Sequence, residues 1–188
     1  MKLTNFLIIA SILLVGTSGI AQTAHNNERY GNTLNLGVGL GYYSYVGSTT
    51  PVLHADYEFP VVRSFTLAPF INYFSYSNYY YWGNPSNPYR DYSYRETVIP
   101  LGVKGTYYFD KLLGLNKKWD IYAAGSVGFV YRKTTWENGY YGQTTIRRGT
   151  GALYLDLHLG AEYHVSRKAG IFLDLSTGVS TLGLAIHF

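Results

Sequence analysis

The 188-residue chain contains no cysteine and only one methionine, and charged residues make up 14% of it. Soluble domains run near about 25% charged. Without cysteine there is no disulfide, no thiolate metal site and no lipid-modified N-terminal cysteine. Beyond the N-terminal segment no stretch has the roughly 18 uninterrupted apolar residues that a membrane-spanning helix needs, so a helical membrane protein is excluded. Basic residues exceed acidic ones only as 15 to 11, and no basic cluster accompanies a recognition motif, so nucleic acid is not an expected partner. There is no G-x-S-x-G elbow, no repeat of solenoid or propeller period, and no sign of a second domain.

Tyrosine and glycine are abundant, 21 of each. Tyrosine joins an apolar ring to a wet hydroxyl and suits a membrane–water boundary, while glycine suits strands that bend or crowd. Residues 1–21 carry the marks of a secretory signal. Lys2 supplies the positive start, Phe6–Val15 is an apolar run too short to span a bilayer, and Gly16–Ala21 is small and flexible, which puts the mature start at Gln22. Residues 22–32 are expected as a short periplasmic segment and 33–188 as one barrel.

Period-two alternation recurs through the mature chain, most clearly over Leu153–His164. There Leu153, Leu155, Leu157, Leu159, Ala161 and Tyr163 share one face, and Tyr154, Asp156, His158, Gly160, Glu162 and His164 share the other. The pattern predicts eight strands: Thr33–Tyr45, Val52–Phe59, Phe65–Tyr76, Thr97–Phe109, Asp120–Arg132, Gly151–His164, Gly170–Thr177 and Ser180–Phe188. Two connections on one side, Ser77–Glu96 and Lys133–Thr150, are long, as the extracellular loops of outer-membrane barrels tend to be. Pro69 and Pro100 fall inside strands, where each removes a ladder donor, so bulges or irregular pairing are expected there.

The expected fold is all-β, an eight-stranded antiparallel up-and-down transmembrane β-barrel. A soluble, secreted lipocalin-like barrel binding a hydrophobic ligand would show the same alternation with its apolar face inward. The membrane reading is favoured because the apolar faces are sorted by depth. Ile99, Leu101 and Val103 precede Tyr107 and Phe109, Leu153–Leu159 precede Tyr163, Tyr57, Phe59 and Phe65 lie at inner ends, and Tyr42, Tyr73 and Tyr131 lie at outer ends. The chain ends at Phe188 after Leu184 and Ile186, an amphipathic strand with a terminal aromatic that resembles the C-terminal signal read by the barrel-assembly machinery.

The segments "IPLGVKGTYYF" (Ile99–Phe109), "DIYAAGSVGFVY" (Asp120–Tyr131) and the closing "LGLAIHF", together with Gln22 after a signal, resemble porin-family, outer-membrane β-barrel-domain proteins of Gram-negative bacteria. They are similar in architecture to the transmembrane domain of outer-membrane protein A and to opacity-type barrels. The resemblance implies an outer-membrane location, with membrane lipid and lipopolysaccharide as surroundings, and no catalytic signature.

The candidate lumen network is His54, Asp56, Glu58, Lys104, Arg132, Asp156, His158, Glu162, His164, Asp174 and His187. Glu58, Lys104, Glu162, His164, Asp174 and His187 are expected in the inner half of the barrel. Asp56, Glu58, Asp156, Glu162 and Asp174 outnumber Lys104 and Arg132, so some lumen histidines are expected to be protonated or some carboxyls neutral. Such groups fill and salt-bridge a narrow barrel or line a gated path for small solutes. Asp156 with His158 and Glu162 with His164 are same-face pairs, but a zinc site needs three or four converging ligands, so no metal or cofactor is assigned. The candidate surface contacts are Tyr80, Tyr81, Trp82, Arg90, Arg95, Trp136, Tyr140, Arg147 and Arg148, residue types favoured at binding hot spots for an extracellular ligand or host surface. His164-Val165-Ser166 superficially resembles the His-x-Ser pair of lipid A deacylases, but it falls at the inner end of a strand, away from outer-leaflet lipid. No enzymatic activity is expected.

Overall fold

The computed structural model describes residues 31–41, 49–109, 113–114, 118–142 and 153–188. Eight strands run in chain order: β1 (Thr33–Gly41), β2 (Thr50–Val62), β3 (Phe65–Asn84), β4 (Asn87–Tyr108), β5 (Trp119–Trp136), β6 (Leu153–His164), β7 (Ala169–Ser176) and β8 (Val179–His187). Each pairs antiparallel with its neighbour. The sheet closes through β1 and β8, in register from Thr33 opposite His187 to Gly41 opposite Val179. Closure removes both sheet edges, so every strand has a ladder partner on each side.

The side-chain alternation read from the sequence sets inside and outside. Leu155 and Leu157 are 68% and 69% exposed on the outer wall, while Asp156 between them is 2% exposed in the lumen. Leu36, Val38, Leu53, Ile71, Val127, Leu173, Leu182 and Leu184 continue the outer apolar surface around the barrel. Tyr57, Tyr107 and Trp119 lie outward at the end holding the β2–β3 turn, with Trp119 and Tyr163 ring centroids 5.0 Å apart; Tyr73 and Tyr131 lie outward nearer the other end. A lipocalin-like barrel requires the reverse arrangement, and that alternative is removed.

Three strands outgrow the rest. β3, β4 and β5 have 20, 22 and 18 residues, whereas β7 has 8 and β1 has 9. Spanning a bilayer takes roughly 9–11 tilted residues. The stretch Ser77–Glu96, expected as a loop, is instead a hairpin: pairing continues from Ser77 opposite Arg95 to Asn84 opposite Asn87, around a turn at Pro85–Ser86. β5 lengthens alongside it, with Tyr94 opposite Trp136. The sequence hid this hairpin because aromatics occupy both of its faces, which erases polar–apolar alternation while leaving good strand formers in place.

Of the bulges or irregular pairing expected at the two strand prolines, the structure shows irregular pairing without a bulge. Around Pro100 the β3–β4 pairing passes from Ile71 opposite Leu101 to Phe74 opposite Val98, and around Pro69 the β2–β3 pairing passes from Asp56 opposite Phe70 to Phe59 opposite Leu67. Register is the same on either side, so each proline opens a gap in the ladder without a slip. The register shifts fall near strand ends, between Pro60 and Val62 and between Trp82 and Asn84.

Candidate functional site

Inward-facing side chains fill the barrel in layers. At the inner end, nearest Thr33 and His187, Glu58 accepts from Thr66 Oγ1 at 2.6 Å and from the Tyr108 hydroxyl. Across the same end His187 Nε2 lies 2.8 Å from Glu162 Oε1, and His164 Nε2 lies 2.7 Å from Asp120 Oδ2.

The middle layer centres on Lys104. Its Nζ donates to Asp56 Oδ2 at 2.6 Å and stands 3.8 Å from Asp174 Oδ2. Asp56 also accepts from Asn35 Nδ2 at 2.8 Å and bonds His54 Nε2 at 2.9 Å, while His158 Nδ1 bonds Asp174 Oδ1 at 2.8 Å. Every histidine among the described residues therefore touches a carboxylate. A cavity of about 10 Å³, room for roughly one water, lies between His54, Asn72, Lys104, His158 and Asp174.

Asp156 ties β6 to the β7–β8 turn. Its carboxylate accepts from Tyr154 Oη at 2.8 Å, Ser176 Oγ at 2.9 Å, Thr177 Oγ1 at 2.7 Å and the Gly178 amide at 2.8 Å. Toward the outer end an apolar layer follows: Val52, Phe74, Val98 and Val179 are buried together inside the barrel, with Tyr76 and Val130 packed on them. Tyr76 then donates to Glu96 Oε2 at 2.6 Å.

The structure thus brings together ten of the eleven lumen candidates. Arg132, on the same face but half-buried beyond the apolar layer opposite Val98, lies toward the outer mouth. Of the residues expected in the inner half, Glu58, Glu162, His164 and His187 lie at the inner end, and Lys104 and Asp174 belong to the middle layer. Asn35, Asn72, Glu96, Tyr108, Tyr122 and Tyr154 also face the lumen, and strand parity was the signal that would have found them. Glu96 and Tyr108 share the face of Lys104, and Tyr154 shares that of Asp156.

Beyond the barrel mouth, the inner face of the extended β3–β4–β5 sheet is an aromatic wall. Trp82 packs edge-on against Tyr92 and Tyr140, with centroids 5.8 and 5.1 Å away. Trp136 stacks on Tyr140 at 3.7 Å and tilts against Tyr94 at 5.1 Å. Tyr80 meets Trp136 edge-on at 6.0 Å, and Arg90 sits over the Tyr92 ring at 4.2 Å. Of the surface candidates, Tyr80, Trp82, Arg90 and Trp136 share this face, and Tyr140 joins it from the segment after β5. Tyr81 and Arg95 belong to the opposite face of the sheet, and Arg147 and Arg148 lie outside the described residues.

Glu137 clasps the wall from the end of β5. It accepts from the Ser93 amide at 2.9 Å and Ser93 Oγ at 2.7 Å, and pairs with Arg90 at 2.9 Å. The Ser93 hydroxyl first, then its amide, with help from Arg90, hold the carboxyl below its ordinary value of 4.5. Partial burial pushes the Tyr140 hydroxyl up, and neighbouring Tyr80 adds to this.

No family model and no curated protein sequence matches the chain. Solved structures do. Ail, the attachment invasion locus protein of Yersinia pestis, in complex with the heparin analogue sucrose octasulfate, aligns at a TM-score of 0.55 and 10% identity, over 86% of this chain and 100% of that one. Neisserial surface protein A aligns at a TM-score of 0.52 and 12% identity, over 86% of this chain and 98% of that one. At such identities the likeness is one of fold, and the fold is that of the eight-stranded outer-membrane β-barrels of Gram-negative bacteria.

Proposed function

We propose that the chain is an integral outer-membrane barrel, exported through a cleaved signal at residues 1–21, whose raised β3–β4–β5 sheet holds an extracellular glycan. The observation that carries this reading is the joined aromatic wall of Trp82, Tyr92, Tyr94, Trp136 and Tyr140. Trp82, Trp136 and Tyr140, half-buried and held on the buried rings of Tyr92 and Tyr94, offer apolar ring surface at little entropic cost, and the axial C–H bonds of a sugar ring stack on such surface. The Glu137–Arg90 clasp leaves arginine beside the rings, a donor for sugar oxygens or their acidic groups.

The outer apolar surface fits acyl chains, and the outward Leu184, Ile186 and Phe188 of the last strand fit recognition by the barrel-assembly machinery. Lipopolysaccharide would surround the raised sheet, with outward Tyr79, Tyr81, Tyr89 and Arg95 facing its sugars and phosphates. The role is non-catalytic: the lumen carboxylates and histidines are engaged with one another, and the His164–Ser166 pair sits at the inner end. A small-solute pore draws little support, because the Val52–Phe74–Val98–Val179 layer crosses the lumen and an apolar constriction excludes ions.

The test displays the full chain on cells and measures adhesion to immobilised glycans. Trp82→Ala combined with Tyr140→Ala is expected to abolish adhesion while the barrel keeps its heat-modifiable gel migration. Adhesion equal to that of the parent would overturn the assignment.

A further inference from the structure

The inner end of the lumen gathers three potential ligand atoms from two strands that are not neighbours. Glu162 and His164 belong to β6 and His187 to β8, with β7 between them. Gly170 of β7 makes the meeting possible. It stands opposite His164 and Ala185, and a Cβ there would collide with Glu162 Oε1. The Glu162 side chain lies through that notch and reaches His187.

One carboxylate oxygen of Glu162, one ring nitrogen of His164 and one of His187 lie within 4.8 Å of each other, all buried. His187 Nε2 is 2.8 Å from Glu162 Oε1, and His164 Nδ1 is 3.4 Å from the same oxygen. Tetrahedral zinc with bonds of about 2.0–2.1 Å puts its ligand atoms roughly 3.3–3.4 Å apart, so small rotations of the side chains suffice.

The far side of each ring is also arranged. His164 Nε2 bonds Asp120 Oδ2 at 2.7 Å, and His187 Nδ1 bonds Thr33 Oγ1 at 2.9 Å. Asp120, acceptor only, holds the His164 proton on Nε2, which leaves the Nδ1 lone pair facing Glu162 and His187. Thr33, able to donate or accept, serves His187 in either tautomer. A carboxylate or hydroxyl behind each coordinating imidazole is the usual support of a metal site. The two carboxylates, Glu162 and Asp120, also match the charge of one dication.

We propose that Glu162, His164 and His187 bind one divalent transition metal, zinc by preference for two imidazoles and a carboxylate, at the inner mouth of the barrel. Three protein ligands leave a fourth position for water. The metal staples β6 to β8 on either side of β7, near the seam where β8 closes on β1. Binding needs the His187 Nε2 lone pair: a neutral ring carries its one proton on Nδ1 and donates it to Thr33 Oγ1, with no net proton release, whereas a doubly protonated ring first gives its Nε2 proton to solvent.

The test uses the full-length chain without a histidine tag, extracted in detergent, stripped with a chelator and titrated with zinc and with cobalt. One zinc per chain is expected, along with cobalt absorption bands of a tetrahedral site with nitrogen ligands. His187→Gln and Glu162→Gln should each weaken zinc binding by more than about 100-fold. Asp120→Asn should weaken it about 10–100-fold. His158→Gln, in the middle layer, should leave it unchanged. Gel migration checks that each variant folds. If the ligand variants fail to fold, the parent's stoichiometry and cobalt spectrum decide the matter. Folded parent chain that takes up no stoichiometric zinc or cobalt, or uptake that survives His187→Gln, would overturn the site.

Discussion

Lys104→Met removes the cation at the centre of the lumen while keeping an unbranched side chain of similar length. The parent Nζ donates to Asp56 Oδ2 at 2.6 Å, with side-chain exposures of 5% and 0%, and lies 3.8 Å from Asp174 Oδ2. A hydrogen bond to a charged group is worth about 1.5–3 kcal/mol. Breaking a buried pair by deleting one partner costs more, about 3–5 kcal/mol, because the surviving charge is left without compensation. Asp56 keeps Asn35 and His54 as partners, and Asp174 keeps His158. That residual solvation places the expected loss near the lower end, about 3 kcal/mol. Adding Asp56→Asn to Lys104→Met removes the stranded charge and should recover part of the loss, giving a coupling of about 2 kcal/mol in a double-mutant cycle. Urea unfolding of the full chain in phospholipid vesicles, followed by tryptophan fluorescence and gel migration, measures all four corners. A Lys104→Met cost below about 1 kcal/mol, or a double variant no more stable than Lys104→Met alone, would refute the view that this ion pair organises the lumen.

Leu157→Arg places a charge at the middle of the outer wall and should cost about 2–4 kcal/mol in vesicles, as read by the same urea titration; a neutral result would contradict a lipid-facing β6. Glu137 titrates lower in the folded chain than its ordinary 4.5, so its contribution is present above that pH and is lost as pH falls through the lowered folded value. Acid titration of tryptophan fluorescence should show this step from Trp82 and Trp136, and Glu137→Gln should abolish it. Gly160→Ala drives a methyl into the Tyr122 ring and displaces its hydroxyl from Asp174, for an expected loss of about 1–3 kcal/mol by urea unfolding.

Strand number, chain order and the facing of each strand were legible because a strand's side-chain period is two, and a barrel with unlike inside and outside prints that period along the chain. Leu153–His164 is the plainest case, and its lumen candidates are inward as read. The Ser77–Glu96 hairpin was not legible, because Tyr79, Tyr80 and Tyr81 put the same ring on both faces and leave no period to detect. Pro85, which looked like part of a loop, marks only its turn.

The sequence by itself determined which residues look inward and which look outward, since that depends only on local alternation. Only the tertiary structure decided which inward residues meet. The relative shift of strands around the closed sheet sets the height of each side chain, and no local pattern encodes it. His187 reaches Glu162 across β7 because closure brings β8 to that height and Gly170 leaves the space. Lys104 finds Asp56 across the lumen, and Trp136 finds Tyr94 across the β4–β5 pairing, by the same geometry of closure and register.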